Sequence, residues 1–276
     1  MATVPNVTLN DGRQMPQLGY GVYQVPPGQT TEVVRAALDA GYRSIDTATL
    51  YRNEAEVGKA IAESGVPREQ IFVTTKLWND RQGYDEALRG FDASLAELGF
   101  DYVDLYLIHW PVPSADLYVE TWRAFERLRN EGRARSIGVS NFTDEHLRRL
   151  LTETDTVPAV NQVELHPLLA QASLRAFDAQ HGIATEAWAP LAKGGELLQD
   201  PTVTSLADKH GKAPAQVVLR WHLQHGTIVI PKSVTPARIV ANIDVFDFEL
   251  TADDMAAIDR LDAGGRTGPH PDTLGG

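Results

Sequence analysis

Eight short apolar or β-branched runs, separated by amphipathic helical stretches, set the architecture open to this chain of 276 residues. The runs with strand character are Gln17–Val22, Tyr42–Thr47, Ile71–Lys76, Val103–His109, Ser136–Ser140, Ala159–Val163, Thr185–Trp188 and Thr227–Pro231. Helical patterns cover Thr30–Ala40, Asn53–Ser64, Tyr84–Leu98, Leu117–Asn130, Asp144–Leu151, Ala172–Ala179 and Pro214–His225. Strands that alternate with helices pair in parallel, because the helix carries the chain back to the start of the next strand. An open doubly wound sheet usually has fewer strands and a glycine-rich loop after the first, whereas a closed eight-stranded barrel takes about 250 residues. The reading is therefore α/β, a (β/α)8 TIM barrel, as one domain over residues 1–276, with no internal repeat and no proline- or serine-rich linker.

Smaller signals fit that frame. Trp122, Phe125 and Leu128 recur at helical spacing, as do Val217, Val218 and Trp221, so each helix has one stripe to bury. Thr251-Ala252-Asp253-Asp254 resembles a capping box and opens a late helix with Met255, Ile258 and Leu261 on one face. Alternation in Val7-Thr8-Leu9-Asn10 followed by Asp11-Gly12 predicts an N-terminal β-hairpin that plugs the barrel's N-terminal mouth. The segment Gly264–Gly276, rich in glycine and proline, reads as a C-terminal loop that leaves the pocket open, with His270 in solvent.

Charge and cysteine usage remove whole classes of function. A formal charge of -12 repels nucleic acid and anionic membranes, so an anionic ligand needs its own small basic pocket. With no cysteine there is no disulfide, thiolate nucleophile, iron–sulfur ligation or cysteine zinc site, and redox chemistry needs a bound carrier. Residues Met1 to Gly12 lack the basic-then-apolar pattern of a secretion signal, and no apolar run approaches the roughly 20 residues of a bilayer span, so a cytoplasmic location is expected. His222 and His225 stand three apart on a helix without a third ligand nearby, and no metal is expected. With no secretion expected, the sequons at Asn6 and Asn141 read as chance matches.

Three of the strand runs carry an ionisable residue at their C-terminal end: Asp46, Lys76 and His109, with Tyr51 just past the first of them. In a parallel barrel all strand ends share one rim, where active sites form. A phenol has a pKa of about 10, so Tyr51 is a protonated, weak acid at neutral pH. A cationic Lys76 beside it would lower that value, Asp46 would keep the ammonium charged and aimed, and His109 would orient a substrate carbonyl. Singly, each residue has an ordinary structural explanation; the argument lies in their joint position. A barrel glycosidase would instead need two carboxylates, for which Asp46 and Glu164 are conceivable, but Lys76 spoils the required protonation. Lys232, Ser233 and Arg238 gather two cations and a hydroxyl, which suits a phosphate or makes a solvated basic turn. No G-x-G-x-x-G or Walker pattern occurs, which argues against a Rossmann site.

These residues carry a resemblance to the aldo-keto reductase family. Gly41-Tyr42-Arg43-Ser44-Ile45-Asp46-Thr47-Ala48, Ser136-Ile137-Gly138-Val139-Ser140-Asn141-Phe142, Ile230-Pro231-Lys232-Ser233 and Asn161-Gln162-Val163-Glu164-Leu165-His166-Pro167 match its motifs, and the similarity runs from about Val7 to Leu261. Within it, Thr74-Thr75-Lys76-Leu77-Trp78-Asn79-Asp80-Arg81 and the blocks from Leu219 and Asn242 are most similar to bacterial 2,5-diketo-D-gluconate reductases. The resemblance implies NADPH-dependent reduction of small aldehydes, ketones, dicarbonyls and keto sugars by direct hydride transfer, with Asp46, Tyr51, Lys76 and His109 catalytic. It also implies that Gly21, Val22, Asp46, Ser140, Asn141, Gln162, Trp188, Leu191, Lys232, Ser233, Arg238 and Asn242 bind NADPH/NADP+. In that scheme Ser140, Asn141 and Gln162 hold the carboxamide, Trp188 stacks on the nicotinamide, and Lys232, Ser233 and Arg238 take the 2′-phosphate. Tyr23, Trp78, His109 and Trp110 wall the substrate pocket. Ala241 and Ala189 depart from relatives that carry glutamate and serine there, which implies a looser grip on the adenine and pyrophosphate. The expected partner is a small carbonyl, with no nucleic acid and no membrane, and the chain is expected to act as a monomer. A barrel that keeps the cofactor only to sense redox state is the alternative, and the complete set of four argues against it.

Overall fold

The computed structural model describes residues 4–274; Met1, Ala2 and Thr3 of the N-terminal segment, and Gly275 and Gly276 of the C-terminal loop, lie outside the described residues. A two-stranded antiparallel hairpin, β1 (Asn6–Thr8) and β2 (Gln14–Pro16), precedes eight parallel strands. These are β3 (Tyr20–Gly21), β4 (Ser44–Asp46), β5 (Phe72–Leu77), β6 (Val103–Ile108), β7 (Ala134–Ser140), β8 (Val160–Glu164), β9 (Ala184–Trp188) and β10 (Ile228–Val229), each hydrogen-bonded to the next. The ring closes through a parallel bridge between Leu18 and Val229, with Gly19 N donating to Val229 O at 2.8 Å and Val229 N to Gln17 O at 3.0 Å. The sheet is thus a barrel whose seam lies between its first and last strands, the shortest two.

The hairpin does plug one end. Leu9 and Met15 are buried in a cluster with Phe72, Leu105, Leu107, Ala159, Val160 and Ile228, at the N-terminal floor of the barrel. The Asn10–Gly12 turn closes through Gly12 N to Leu9 O at 2.9 Å, with Gly12 at a φ of 84° that suits a residue without a side chain.

Outside the ring lie α1 (Pro27–Asp39), α2 (Glu54–Glu63), α3 (Tyr84–Leu98), α4 (Tyr118–Asn130), α5 (Asp144–Glu153), α6 (Ala172–Gln180), α7 (Pro201–His210), α8 (Pro214–Gln224), α9 (Pro236–Ile243) and α10 (Ala252–Asp259). The stripes read from spacing are the buried ones: Trp122, Phe125 and Leu128 of α4, and Val217, Val218 and Trp221 of α8, are all inaccessible to solvent. The late capping box forms as read, with Asp254 N donating to Thr251 Oγ1 at 3.2 Å and Thr251 N to Asp254 Oδ2 at 3.0 Å. Two helices escaped the sequence reading. In α7, Asp200 caps the first turn by accepting from Thr202 N at 2.7 Å, and Pro201 follows at the first helical position. Lys232 and Ser233 lie in the non-helical stretch before α9, whereas Arg238 and Asn242 stand together on that one rigid element. Among the described residues, no helix is long and apolar enough to cross a membrane.

Candidate active site

Strand ends deliver the ionisable groups to one rim. Asp46 is the last residue of β4, Lys76 the penultimate one of β5, and His109 the first beyond β6. Tyr51 ends a 3-10 turn, Thr49–Tyr51, in the loop after β4. Asn53 fixes that loop: it accepts from Thr47 Oγ1 at 2.8 Å and donates through Nδ2 to Val22 O at 3.1 Å, tying it to the end of β3.

The Lys76 ammonium is the hub. Fully buried, it donates to Asp46 Oδ1 at 2.6 Å, Thr47 O at 2.9 Å and Tyr51 Oη at 3.3 Å. Burial works against the charged lysine, but the facing Asp46 carboxylate and the Tyr51 phenol outweigh it and hold the ammonium above its usual range. For Tyr51 the balance falls the other way from the sequence expectation. Burial of the phenol exceeds the downward pull of Lys76, and Asp46 adds to the rise, so its pKa is pushed up to about 12 rather than lowered. The lysine tempers the phenol without making it a strong acid. Burial, then the Lys76 charge, push the His109 imidazole well below its usual range, leaving it neutral, and its Nδ1 has no partner.

A second tier lies behind this one. Gln162 Nε2 donates to Asp46 Oδ2 at 2.8 Å and to Glu186 Oε2 at 2.8 Å, linking the carboxylate that holds Lys76 to a carboxyl group inside the barrel. Ser140 Oγ donates to Gln162 O at 2.8 Å, and Asn141 Nδ2 donates to His109 O at 3.0 Å and Ser140 Oγ at 3.1 Å. Asn141 Oδ1 accepts from Trp188 Nε1 at 2.8 Å, which fixes the indole beside the strand ends. Asn141 and Ala189 leave their strands with φ of 63° and 48°, a left-handed turn that alanine adopts only at a cost in strain. The aromatic wall is also assembled: Trp78 meets His109 edge-on at 5.1 Å between ring centres, and Tyr23, half exposed, tilts against Tyr51 at 5.0 Å. Trp110 is buried and held by Gln82 Nε2, which donates to its carbonyl at 2.7 Å.

The basic patch sits apart from the four, beyond β10 and on α9. Lys232 and Arg238 are exposed, and neither forms an ion pair among the described residues, although the chain carries 37 acidic residues. Ser233 and Asn242 are buried next to them. Two barrel tyrosines hold the patch in place: Tyr20 Oη donates to Ser233 O, and Tyr42 Oη to Ile239 O at 3.0 Å. Leu191 packs inward with the core rather than standing free, and Gly21 N donates to Pro231 O at 3.2 Å, which sets the start of the patch against β3. Val22 is buried and donates its N–H to Asp46 O at 3.1 Å. Two unpaired cations and a hydroxyl, held by the barrel wall in an acidic chain, fit a phosphate monoester.

The C-terminal loop is more tightly held than the sequence implies. Glu164, at the end of β8, accepts from Thr267 N and Thr267 Oγ1 at 2.6 Å each and from Gly268 N at 3.1 Å; burial raises its carboxyl, but the His166 ring at 3.1 Å and these loop donors together pull it down to about 2. A Cβ on Gly268 would stand 2.5 Å from the Trp188 ring, so the loop lies directly against that indole. His270 is exposed, as read. Glu164 is thereby committed to the loop. His222 Nε2 contacts Pro190 O at 3.0 Å and His225 Nε2 contacts Asp259 Oδ1 at 2.9 Å, so the two rings serve different partners. Sequence reasoning missed Asn53, Glu186 and the Glu164 clasp. A glutamate inside an otherwise apolar run was the one local signal for Glu186.

Comparison with known proteins shows the family. Residues 15–263 match the model of the Aldo/keto reductase family. The chain is 61% identical to an aldo-keto reductase of Mycolicibacterium smegmatis, over 98% of each chain, and 51% identical to the methylglyoxal reductase DkgA of Escherichia coli K12, over 100% of each. The crystal structure of a Bombyx mori aldo-keto reductase in complex with NADP superposes with a TM-score of 0.90 at 39% identity, covering 96% of this chain and 95% of that one. By sequence along nearly its whole length and by the barrel it forms, the chain belongs to the aldo/keto reductase family.

Proposed function

We propose that this protein reduces small aldehydes and ketones with NADPH, and that Tyr51 gives the proton. The observation that carries the reading is the buried Lys76 ammonium, shared between Asp46 Oδ1 at 2.6 Å and the Tyr51 phenol at 3.3 Å. Membership in an oxidoreductase family, a relative named for methylglyoxal reduction and a relative crystallised with NADP support it.

When bound, NADPH supplies the hydride that reaches the carbonyl carbon. Tyr51, protonated well past neutral pH, hydrogen-bonds the carbonyl oxygen and passes its proton there as negative charge develops. Lys76 balances the phenolate left behind, and Asp46 stops the ammonium from turning away. His109, kept neutral, offers an N–H to the same oxygen without adding a second positive charge. Tyr23, Trp78 and Trp110 exclude water from the bound carbonyl and favour compact or planar substrates. Lys232, Ser233 and Arg238 would hold the 2′-phosphate, and Ser140, Asn141 and Gln162 the carboxamide, against Trp188, with Gly21, Val22, Leu191 and Asn242 lining the rest. Of these, Gln162 already spends both amide hydrogens within the protein, so its carbonyl oxygen is the end left to accept, whereas Asn141 donates to His109 O and Ser140 Oγ and already accepts from Trp188 Nε1.

The test is consumption of NADPH and of NADH with a panel running from methylglyoxal through aromatic aldehydes to keto sugars. Turnover with the small dicarbonyls and preference for NADPH support the reading; no turnover with any carbonyl rejects it. One barrel domain acting as a cytoplasmic monomer is part of the proposal, and gel filtration at a mass near 30.3 kDa checks the oligomeric state.

A further inference from the structure

The geometry points to Glu186 as a positioning residue for the proton-donating site, acting through Gln162 on the Asp46 carboxylate and so on Lys76 and Tyr51. The inference rests on the reading of Tyr51 as the acid and deepens it.

Glu186 sits in the middle of β9, at the same level as Gln162 on the neighbouring β8, and no part of it is open to solvent. A carboxyl group buried inside the barrel costs several kcal/mol to desolvate unless it is paired or neutral. Among the described residues no cation pairs with it directly. Its one hydrogen bond is from Gln162 Nε2 to Oε2 at 2.8 Å, and its Oε1 has no partner. That same amide nitrogen spends its other hydrogen on Asp46 Oδ2, also at 2.8 Å. The amide therefore has both hydrogens fixed between two carboxyl groups, and a continuous path runs from Glu186 through Gln162, Asp46 and Lys76 to the Tyr51 phenol.

Two consequences follow. Glu186 fixes the rotation of the Gln162 amide; without that acceptor the amide is free to turn, and Asp46 loses a donor that shares its charge and directs its second oxygen toward Lys76. Glu186 also sets the charge of the buried group. The charged side chains that face it are Asp46 from β4 and Lys76 from β5. One ammonium against one carboxylate is balanced, while two carboxylates leave an excess negative charge. Burial first, then the Asp46 charge, raise the Glu186 carboxyl to about 8, so it is neutral at physiological pH. Below that pH the group is balanced. Above it, ionised Glu186 draws on Lys76 and makes the Tyr51 phenol a weaker acid, slowing carbonyl reduction.

The experiment compares the pH dependence of kcat and KM for methylglyoxal reduction in wild type, Glu186→Gln, Glu186→Leu and Tyr51→Phe. Glu186→Leu removes the acceptor and should lower kcat about three- to tenfold at pH 7, with KM nearly unchanged. Glu186→Gln keeps an acceptor for Gln162 and cannot ionise. It should recover most of the lost kcat at pH 7 and abolish the fall in kcat that wild type shows near pH 8. Should Glu186→Gln show the same fall near pH 8 as wild type, or be no faster than Glu186→Leu at pH 7, the proposal is overturned. The Tyr51→Phe arm keeps the two readings apart: undiminished turnover there removes the acid, whereas its loss together with superimposable wild-type and Glu186→Gln profiles removes only the role of Glu186.

Discussion

Single side chains in this barrel are governed by the balance between burial and pairing. Lys76 and Asp46 are each other's compensation, and neither would be stable in its position alone. Asp178 is buried without a cation: Thr185 Oγ1 donates to it at 2.9 Å, Asn161 lies at 3.5 Å, and burial raises its carboxyl to about 7. Its folded-state pKa lies above that of the unfolded chain, so the native state binds the extra proton between about 4 and about 7. Stability should therefore fall as pH rises through that window and level off above it. Asp178→Asn should flatten this part of the profile and be the more stable protein at pH 8; chemical unfolding at pH 5 and pH 8 measures both, and an unchanged slope would contradict the assignment. Residue chemistry was also where the sequence was hardest to read. Asp46, Lys76 and His109 announce themselves by ending apolar runs, but the sign of the Tyr51 shift depends on how much protein surrounds the ring, which no local pattern encodes.

Secondary-structure elements position these groups, and their packing tolerates little. Gly58 of α2 lies against the end of α3, where a Cβ would stand 2.0 Å from Leu98 O, a backbone atom that cannot swing away. Gly58→Ala should cost about 1–3 kcal/mol by overpacking and lower Tm by about 2–4 °C for each of these. Gly28→Ala in α1, with open space around it, should leave Tm within about 2 °C of wild type, so the pair of melting curves separates packing from helix propensity. On α9, Arg238 has no ion-pairing acid among the described residues, and the helix is pinned by Tyr42. Arg238→Ala should weaken NADPH about tenfold or more while changing NADH little, read by fluorescence titration; equal losses would place the phosphate elsewhere. The strands were legible because most are apolar or β-branched runs in a parallel sheet covered on both faces. Helix α9 was not, since its eight residues lie among prolines and basic residues that read as a turn, and α7 went unseen although Asp200-Pro201 is a helix-start signal.

At the scale of the molecule, the barrel separates stability from chemistry. The N-terminal end is closed by the hairpin with Leu9 and Met15, while the opposite rim gathers Asp46, Tyr51, Lys76 and His109 with the Trp188 indole. Closure through Leu18 and Val229 is what brings β9 and β8 across from β4, so that Gln162 reaches Asp46 over 116 positions of chain. The same closure lets Glu164 clasp Thr267, 103 positions away. Contacts at such separations leave no periodic trace, which is why architecture and the rim residues could be read from the sequence while the Gln162 bridge and the held C-terminal loop could not. The central claim concerns one proton on one oxygen, and single-turnover oxidation of bound NADPH by methylglyoxal in wild type and Tyr51→Phe tests it directly. The account predicts that the variant binds NADPH as wild type does and transfers hydride about 10²–10⁴ times more slowly; a transfer rate equal to wild type would contradict it.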